Sequence, residues 1–306
     1  MKNKSTLLGT LAALLANVIF GFSFLFTSMA LDGGAHPIIL ISVRFTIAFA
    51  ILSLLIIFKI VKVSFKGKRI LPVLIMGISQ PLLYFIFETY GIKMVSSAIS
   101  GVVISLVPVC VLICYVLFFK GRPTLLQSVC CILSVLGVVL ISVLSDGEEV
   151  KFSIAGMVCL LLAVACSTVF NILSNKSSCE YSPIEKTYIM FSIGAVGFNA
   201  LSFIMFGGEY FTCVLTSIKN TEFVIAAFYL AIISSIGAFL LYNYATSNID
   251  MVRASSFSSI ISVVSMLAGI FILKEKVSLA QTLCCVLIIV AVYGVNYQKN
   301  DKGGQP

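Results

Sequence analysis

Arg44 and Glu88 each stand inside an otherwise apolar run, Arg44 in HPIILISVRFTIAFAIL (36 to 52) and Glu88 in PLLYFIFETYGI (81 to 92). A guanidinium presents a planar fork that can hold a carboxylate with two hydrogen bonds. A carboxyl group can pair with such a cation or exchange a proton as its surroundings change. At 1.5 Å of rise per residue, Arg44 lies about two helical turns and Glu88 about one turn from the outer ends of their runs, so the two sit at comparable depth. One reading is a fixed ion pair; the other gives Arg44 a solute-docking or gating role and Glu88 a proton-coupling role. Both readings place the charges toward an interior, since lone charges are costly in hydrocarbon.

Other polar and aromatic groups recur at helical spacing. Gln80, Tyr84 and Glu88 follow at i, i+4 and i+8 on one face, with Phe87 alongside. Asn17, Phe20, Gly21 and Phe24 form a second stripe, and Tyr242 with Asn243 a third group. Ser255, Ser258, Ser262 and Ser265 repeat at i, i+3, i+7 and i+10, a pattern that serves either close helix contact or a polar wall. Aromatic walls with a few hydrogen-bonding groups are the usual lining of a small-molecule pocket. The expected solute-binding set is Asn17, Phe20, Phe24, Arg44, Gln80, Tyr84, Glu88, Tyr242, Asn243, Ser255 and Ser258.

The elements that carry these residues follow from composition. The chain is 60% hydrophobic and 10% charged, with a mean hydropathy of +1.13, where a soluble domain carries about 25% charged residues. Runs of about twenty residues without a charge recur along it, the length needed to cross hydrocarbon. VVISLVPVCVLICYVLFF (102 to 119) lacks the alternation of a barrel strand. The runs predict an all-α membrane protein with ten transmembrane helices near residues 5–31, 37–58, 70–91, 94–119, 125–144, 152–174, 184–206, 222–246, 250–273 and 278–297. Pro81 and Pro108 fall inside spans and predict kinks.

LLQSVCCILSVLGVV (125 to 139) aligns without gaps on LAQTLCCVLIIVAVY (279 to 293), an offset of 154, and Pro37 falls opposite Pro183 at an offset of 146. The chain therefore reads as two copies of a five-helix unit, 1–147 and 148–306. Five is odd, so the second copy enters the membrane from the opposite side and the halves are inverted repeats, the architecture of secondary transporters. With the N-terminus in the cytoplasm, fourteen of the twenty Lys and Arg residues fall on the cytoplasmic side and five on the other, Arg44 being intramembrane. The positive-inside rule puts both termini in the cytoplasm.

A net charge of +8 would suggest nucleic acid for a soluble chain, but here short basic loops beside anionic headgroups account for it. Eight of the ten cysteines lie within spans, where a thiol packs as a small hydrophobe. Cys110 and Cys114 lack further ligands, and the single histidine, His36, beside a loop, leaves no zinc set or Ser-His pair. No cofactor, metal or enzymatic constellation is expected, and no selectivity element of a channel is visible.

Several motifs resemble the EamA-type transporters of the drug/metabolite transporter superfamily over nearly the whole chain. ANVIFGFSF (16 to 24) resembles the first-helix motif, with Phe20 where a Trp is usual, and HPIILISVRF (36 to 45) resembles the second. SGVVISLVP (100 to 108) is similar to the fourth-helix motif ending in Pro, and ASSFSSIIS (254 to 262) is its counterpart with Ser262 in that place. LKEKVSLAQ (273 to 281) resembles the motif whose Glu caps the ninth helix, whereas FKGRPTLLQ (119 to 127) has Gly121 there. The resemblance implies a secondary transporter that exports a small organic solute, such as an amino acid, a related metabolite or a drug-like amine, through a cavity between the halves. Its implied partners are that solute and the lipid bilayer, with a coupling proton or ion and a homodimer both compatible with it. A non-transporting receptor or structural membrane protein on the same fold is the alternative.

Overall fold

The structure, a computed structural model, describes residues 2–119, 124–143, 152–249, 254–255, 257–275 and 277–296. The expected boundary between halves at 147/148, the C-terminal tail, Gly121 and the loop cations Lys120, Arg122, Lys151, Arg253 and Lys276 lie outside the described residues.

The described residues are helical, in order α1 (Lys2–Asp32), α2 (Pro37–Ile57), α3 (Ile70–Met94), α4 (Ser97–Phe118), α5 (Leu125–Val143), α6 (Ile154–Ser177), α7 (Pro183–Phe206), α8 (Thr221–Asn248), α9 (Ser259–Phe271) and α10 (Leu279–Asn296). Among them, seven helices are long and apolar enough to cross a membrane. Their starts are written in the sequence. Ser96 accepts the Ile99 N–H ahead of α4, and Ser182 with Glu185 forms a reciprocal capping box with Pro183 at the first position of α7. Asn220 accepts the N–H groups of Glu222 and Phe223 at the head of α8. His36, read from sequence as a loop residue, caps α2 by accepting the Ile38 N–H at Nδ1. Burial, then the charge of Lys93, lowers the His36 pKa, which keeps the ring neutral and able to accept.

Three features depart from uniform spans. α3 is interrupted by a kink within Ile78–Leu83, where Gln80 is extended (φ −146°, ψ 116°), because the residue before a proline is driven out of the helical region. α4 breaks at Ser105 and Leu106, ahead of Pro108, which has no N–H to offer. The ninth run, expected as one helix from 250, has Ala254 and Ser255 helical among its described residues, then a turn at Phe257 and Ser258 ahead of the helix that starts at Ser259. A short helix, Tyr210–Ile218, occupies what the spacing assigned to a loop; Tyr210 anchors it by donating to Asn199 Oδ1 (2.7 Å).

The helices pack in a regular exchange. α2 lies against α7, α4 against α9 and α5 against α10, while α1 packs on α8 and α9 as α6 packs on α3 and α4. Where α4 crosses α9, Gly101 allows contact so close that a Cβ would overlap the Ser265 side chain. Ser265 thus belongs to this helix contact, and neither it nor the buried Ser262 lines the cavity inside the helix bundle. Gly101→Val is expected to destabilise the protein by about 1–3 kcal/mol through overpacking, read as a lower unfolding midpoint in detergent. An unchanged midpoint would show that the crossing can widen freely.

At the α2–α3 loop, Glu185 accepts from the Ser64 N–H (2.8 Å) and pairs with Lys68, and Glu180 accepts from the Arg69 N–H. At the opposite end of the bundle, Glu275 accepts from the N–H groups of Ser97 (2.8 Å) and Ala98 (3.0 Å). Its carboxylate therefore caps α4 across the bundle, not the ninth helix as the motif suggested.

Candidate functional site

Residues of helices α1, α3, α4, α6, α8 and α9, together with Arg44 of α2, line a common cavity inside the helix bundle. Of the residues expected from sequence, it brings together Asn17, Phe20, Phe24, Arg44, Gln80, Tyr84, Glu88, Tyr242 and Ser258. Asn243 and Ser255 do not line it. Asn243 is fully buried between helices, donating to Thr187 Oγ1 (2.9 Å) and accepting from Ser174, because its side chain points from α8 toward α7 and α6. Ser255 is buried outside the lining.

Arg44 is 2% exposed. Its Nε donates to Ser235 Oγ (2.8 Å) and its Nη2 to Ser234 Oγ (3.0 Å), while its guanidinium carbon lies 4.3 Å from the centre of the Phe85 ring. The π-helical segment of α8, Tyr229–Ala238, carries both serines, and a local widening of the helix lets these two consecutive hydroxyls serve one cation. Glu88, 3% exposed, accepts from the Tyr84 hydroxyl at 2.9 Å. This geometry does not bring Arg44 and Glu88 within ion-pair distance of each other, so the fixed pair is not formed, whereas Lys68–Glu185 and Arg69–Glu180 are ion pairs at the end of the bundle. Arg44 and Glu88 face the same cavity, each held by neutral partners.

Other polar groups there are only partly satisfied. Gln80 Oε1 and Ser258 Oγ are buried with no hydrogen-bond partner in the protein, and a buried polar atom of that kind costs about 1–3 kcal/mol unless a ligand or water serves it. Asn17 and Asn171 each donate Nδ2 to the carbonyl four residues earlier, Ala13 and Ser167. The Tyr242 hydroxyl donates to Asn171 Oδ1. Phe20 meets Phe239 edge-on (5.1 Å between centroids) and Phe170 stacks near Tyr242, giving the cavity an aromatic wall.

Sequence reading missed Ser23, Phe85, Ile104, Val107, Ser167, Phe170, Asn171, Phe239 and Ile261 in the lining, and the serines that hold Arg44. A signal for several of them was present. Asn17 and Asn171, Phe85 and Phe239, Glu88 and Tyr242, Ile104 and Ser258, and Val107 and Ile261 are all separated by 154 residues, the offset of the internal repeat. Applying that offset to Asn17 and Glu88 locates Asn171 and Tyr242. Glu88 and its counterpart differ in kind, so both cavity charges come from the first half of the chain and the second supplies hydroxyls and amides.

Comparison with known proteins follows the same division. The model of the EamA-like transporter family matches residues 7–143 and again 154–297. The chain is 33% identical over 301 residues to the uncharacterized transporter YcxC of Bacillus subtilis (strain 168), covering 97% of this chain and 95% of that one. It is 29% identical to an uncharacterized transporter of Archaeoglobus fulgidus over 84% of this chain and 87% of that one. A solved crystal structure, 20% identical, superposes with a TM-score of 0.63 over 96% of this chain and 97% of that one, a likeness of fold.

Proposed function

The chain belongs to the EamA-like transporter family of the drug/metabolite transporter superfamily, and from that membership we propose that it carries a small zwitterionic solute, an amino acid or related metabolite, out across the cytoplasmic membrane by alternating access. The observation that carries the choice of solute is the pair of opposite charges facing one cavity without pairing to each other. Arg44 receives the solute carboxylate, its Nη1 donating to no protein atom among the described residues. Glu88 receives the ammonium through the oxygen that Tyr84 leaves unused. Gln80 Oε1 and Ser258 Oγ accept or donate the remaining hydrogen bonds, and the aromatic wall takes the apolar part. Export is the direction implied by the family resemblance.

The architecture of this reading is two inverted five-helix repeats, 1–147 and 148–306. Support comes from the constant 154-residue offset between cavity residues, and from the packing exchange in which α2, α4 and α5 meet their own counterparts. Further support comes from interruptions in counterpart helices, α3 with α8 and α4 before α9. Two such halves offer two nearly equivalent packings, one open to each side, and the end-to-end ties at Glu185 and Glu275 are contacts to be broken in alternation. Reporter fusions at each terminus are expected to read cytoplasmic for both; one terminus on each side would end the inverted-repeat reading.

The solute is tested by flux in proteoliposomes with and without a pH gradient, screening amino acids, quaternary amines and nucleosides. Amino acids are expected to move, and for a transported amino acid the matching decarboxylated amine and deaminated acid to move at least tenfold more slowly, since each forfeits one charge contact of about 1.5–3 kcal/mol. Equal flux of all three would refute the zwitterion reading, and no flux of any solute would favour the receptor alternative.

A further inference from the structure

The positive-inside count takes Lys186, between the sixth and seventh runs, as a cytoplasmic-side cation, but it is fully buried, at 0% exposure in the first turn of α7. It does not line the cavity. Its ammonium lies among six oxygens: Ser174 O and Oγ (both 3.2 Å), Ser178 Oγ (2.9 Å), Asn243 O (3.4 Å), Thr246 Oγ1 (3.4 Å) and Ser247 Oγ (3.2 Å). No carboxylate among the described residues pairs with it, and the adjacent Glu185 turns the other way, to Lys68. Buried lysines ordinarily come with a carboxylate. Here the compensation is dipolar, because the last turns of α6 (ending at Ser177) and α8 (ending at Asn248) converge with their carbonyl ends toward Nζ.

The oxygens are held in place independently of the lysine. Ser174 Oγ bonds Asn243 Oδ1 (3.0 Å) and Thr246 Oγ1 (3.0 Å), Ser247 Oγ donates to Ser178 Oγ (3.2 Å), and Asn175 Nδ2 fixes the Thr246 carbonyl (3.0 Å). A shell of hydroxyls and carbonyls at 2.9–3.4 Å is too wide for calcium, which takes oxygens at about 2.3–2.6 Å, and it lacks the carboxylates a divalent ion would need. Carbonyl and hydroxyl oxygens without carboxylates are the groups that replace the hydration of a large monovalent cation, around which this shell would contract. At the corresponding place in the first half, 146 residues earlier, stands Leu40.

We propose that the converging ends of α6 and α8 form a monovalent-cation site of ammonium or potassium size, filled from within the chain by Lys186. The second half then carries a tethered cation in place of one taken from solution, and α6, α7 and α8 are pinned at this end into one body. Ser178 and Ser247, half-buried, form the rim through which a free ion could enter once the side chain is shortened.

The test uses full-length Lys186→Ala purified in parallel in potassium, ammonium, lithium and choline chloride at equal ionic strength, with thermal unfolding as the readout. Its midpoint is expected to fall below that of the parent and to recover by about 3 °C in potassium or ammonium at ten times the half-saturating concentration, with no recovery in choline. Recovery of folded protein in potassium or ammonium alone is the same result in stronger form. Lys186→Met, which fills the space without a charge, is expected to be destabilised and indifferent to the salt. The proposal is overturned if Lys186→Ala melts alike in all four salts, cannot be recovered in any, or if Lys186→Met matches the parent. The readout needs no transported solute, so its failure leaves the zwitterion reading untouched.

Discussion

Arg44→Ala is expected to lower solute flux per unit concentration by roughly 30- to 150-fold, the loss of about 2–3 kcal/mol from charged hydrogen bonds in a buried site. Two serines, Ser234 and Ser235, orient the guanidinium from one side and the Phe85 ring supports it from another, so its remaining N–H groups are presented to the cavity in a fixed direction. Arg44→Lys keeps the charge but replaces the fork with one flexible ammonium, which cannot bond both serines and a carboxylate in a single plane. It is expected to recover only a small part of the flux. Thermal unfolding separates this role from a structural one: the variant must remain folded in detergent while losing flux. A folded Arg44→Ala within threefold of the parent would remove Arg44 from the transport site.

Glu88→Gln is expected to abolish the dependence of accumulation on a proton gradient while leaving a slower exchange of solute across the membrane, since the amide no longer gives the solute ammonium a charged partner. The substitution preserves shape and the hydrogen bond from Tyr84, since an amide oxygen can accept it as the carboxylate does. What it removes is the titratable group. One proton moved with each solute lets a one-unit pH gradient support up to about tenfold accumulation, equivalent to 1.36 kcal/mol. The variant should equilibrate its solute at about the level seen without a gradient, as measured in proteoliposomes with an imposed pH difference. Normal accumulation with the parent's pH dependence would rule out Glu88 as the coupling group.

These two experiments separate what was legible in the sequence from what was not. Composition and the length of apolar runs give the solvent and the helices, because a chain with so little charge can satisfy its backbone in lipid only within helices. Caps and prolines place the element ends, as Ser182 with Pro183 does for α7 and Gln80–Pro81 does for the interruption of α3. Helical spacing puts Gln80, Tyr84 and Glu88 on one face, and all three line the cavity. The same periodicity is blind to how each helix is turned toward its neighbours. It could not tell that Asn243 faces α6 and α7 while the adjacent Tyr242 faces the cavity, or that Ser265 packs against α4 while Ser258 lines the cavity.

From the sequence by itself come the membrane, the helices, the internal repeat, and the requirement that Arg44 and Glu88 point inward, all consequences of local spacing and of the cost of charge in hydrocarbon. The tertiary structure alone decides their partners. Arg44 meets hydroxyls 190 and 191 residues away, Glu88 meets its own helix, and Lys186 leaves the headgroups for the carbonyl ends of two helices. Pairings of that kind depend on the rotation and depth at which whole helices pack, which no pattern within one helix encodes.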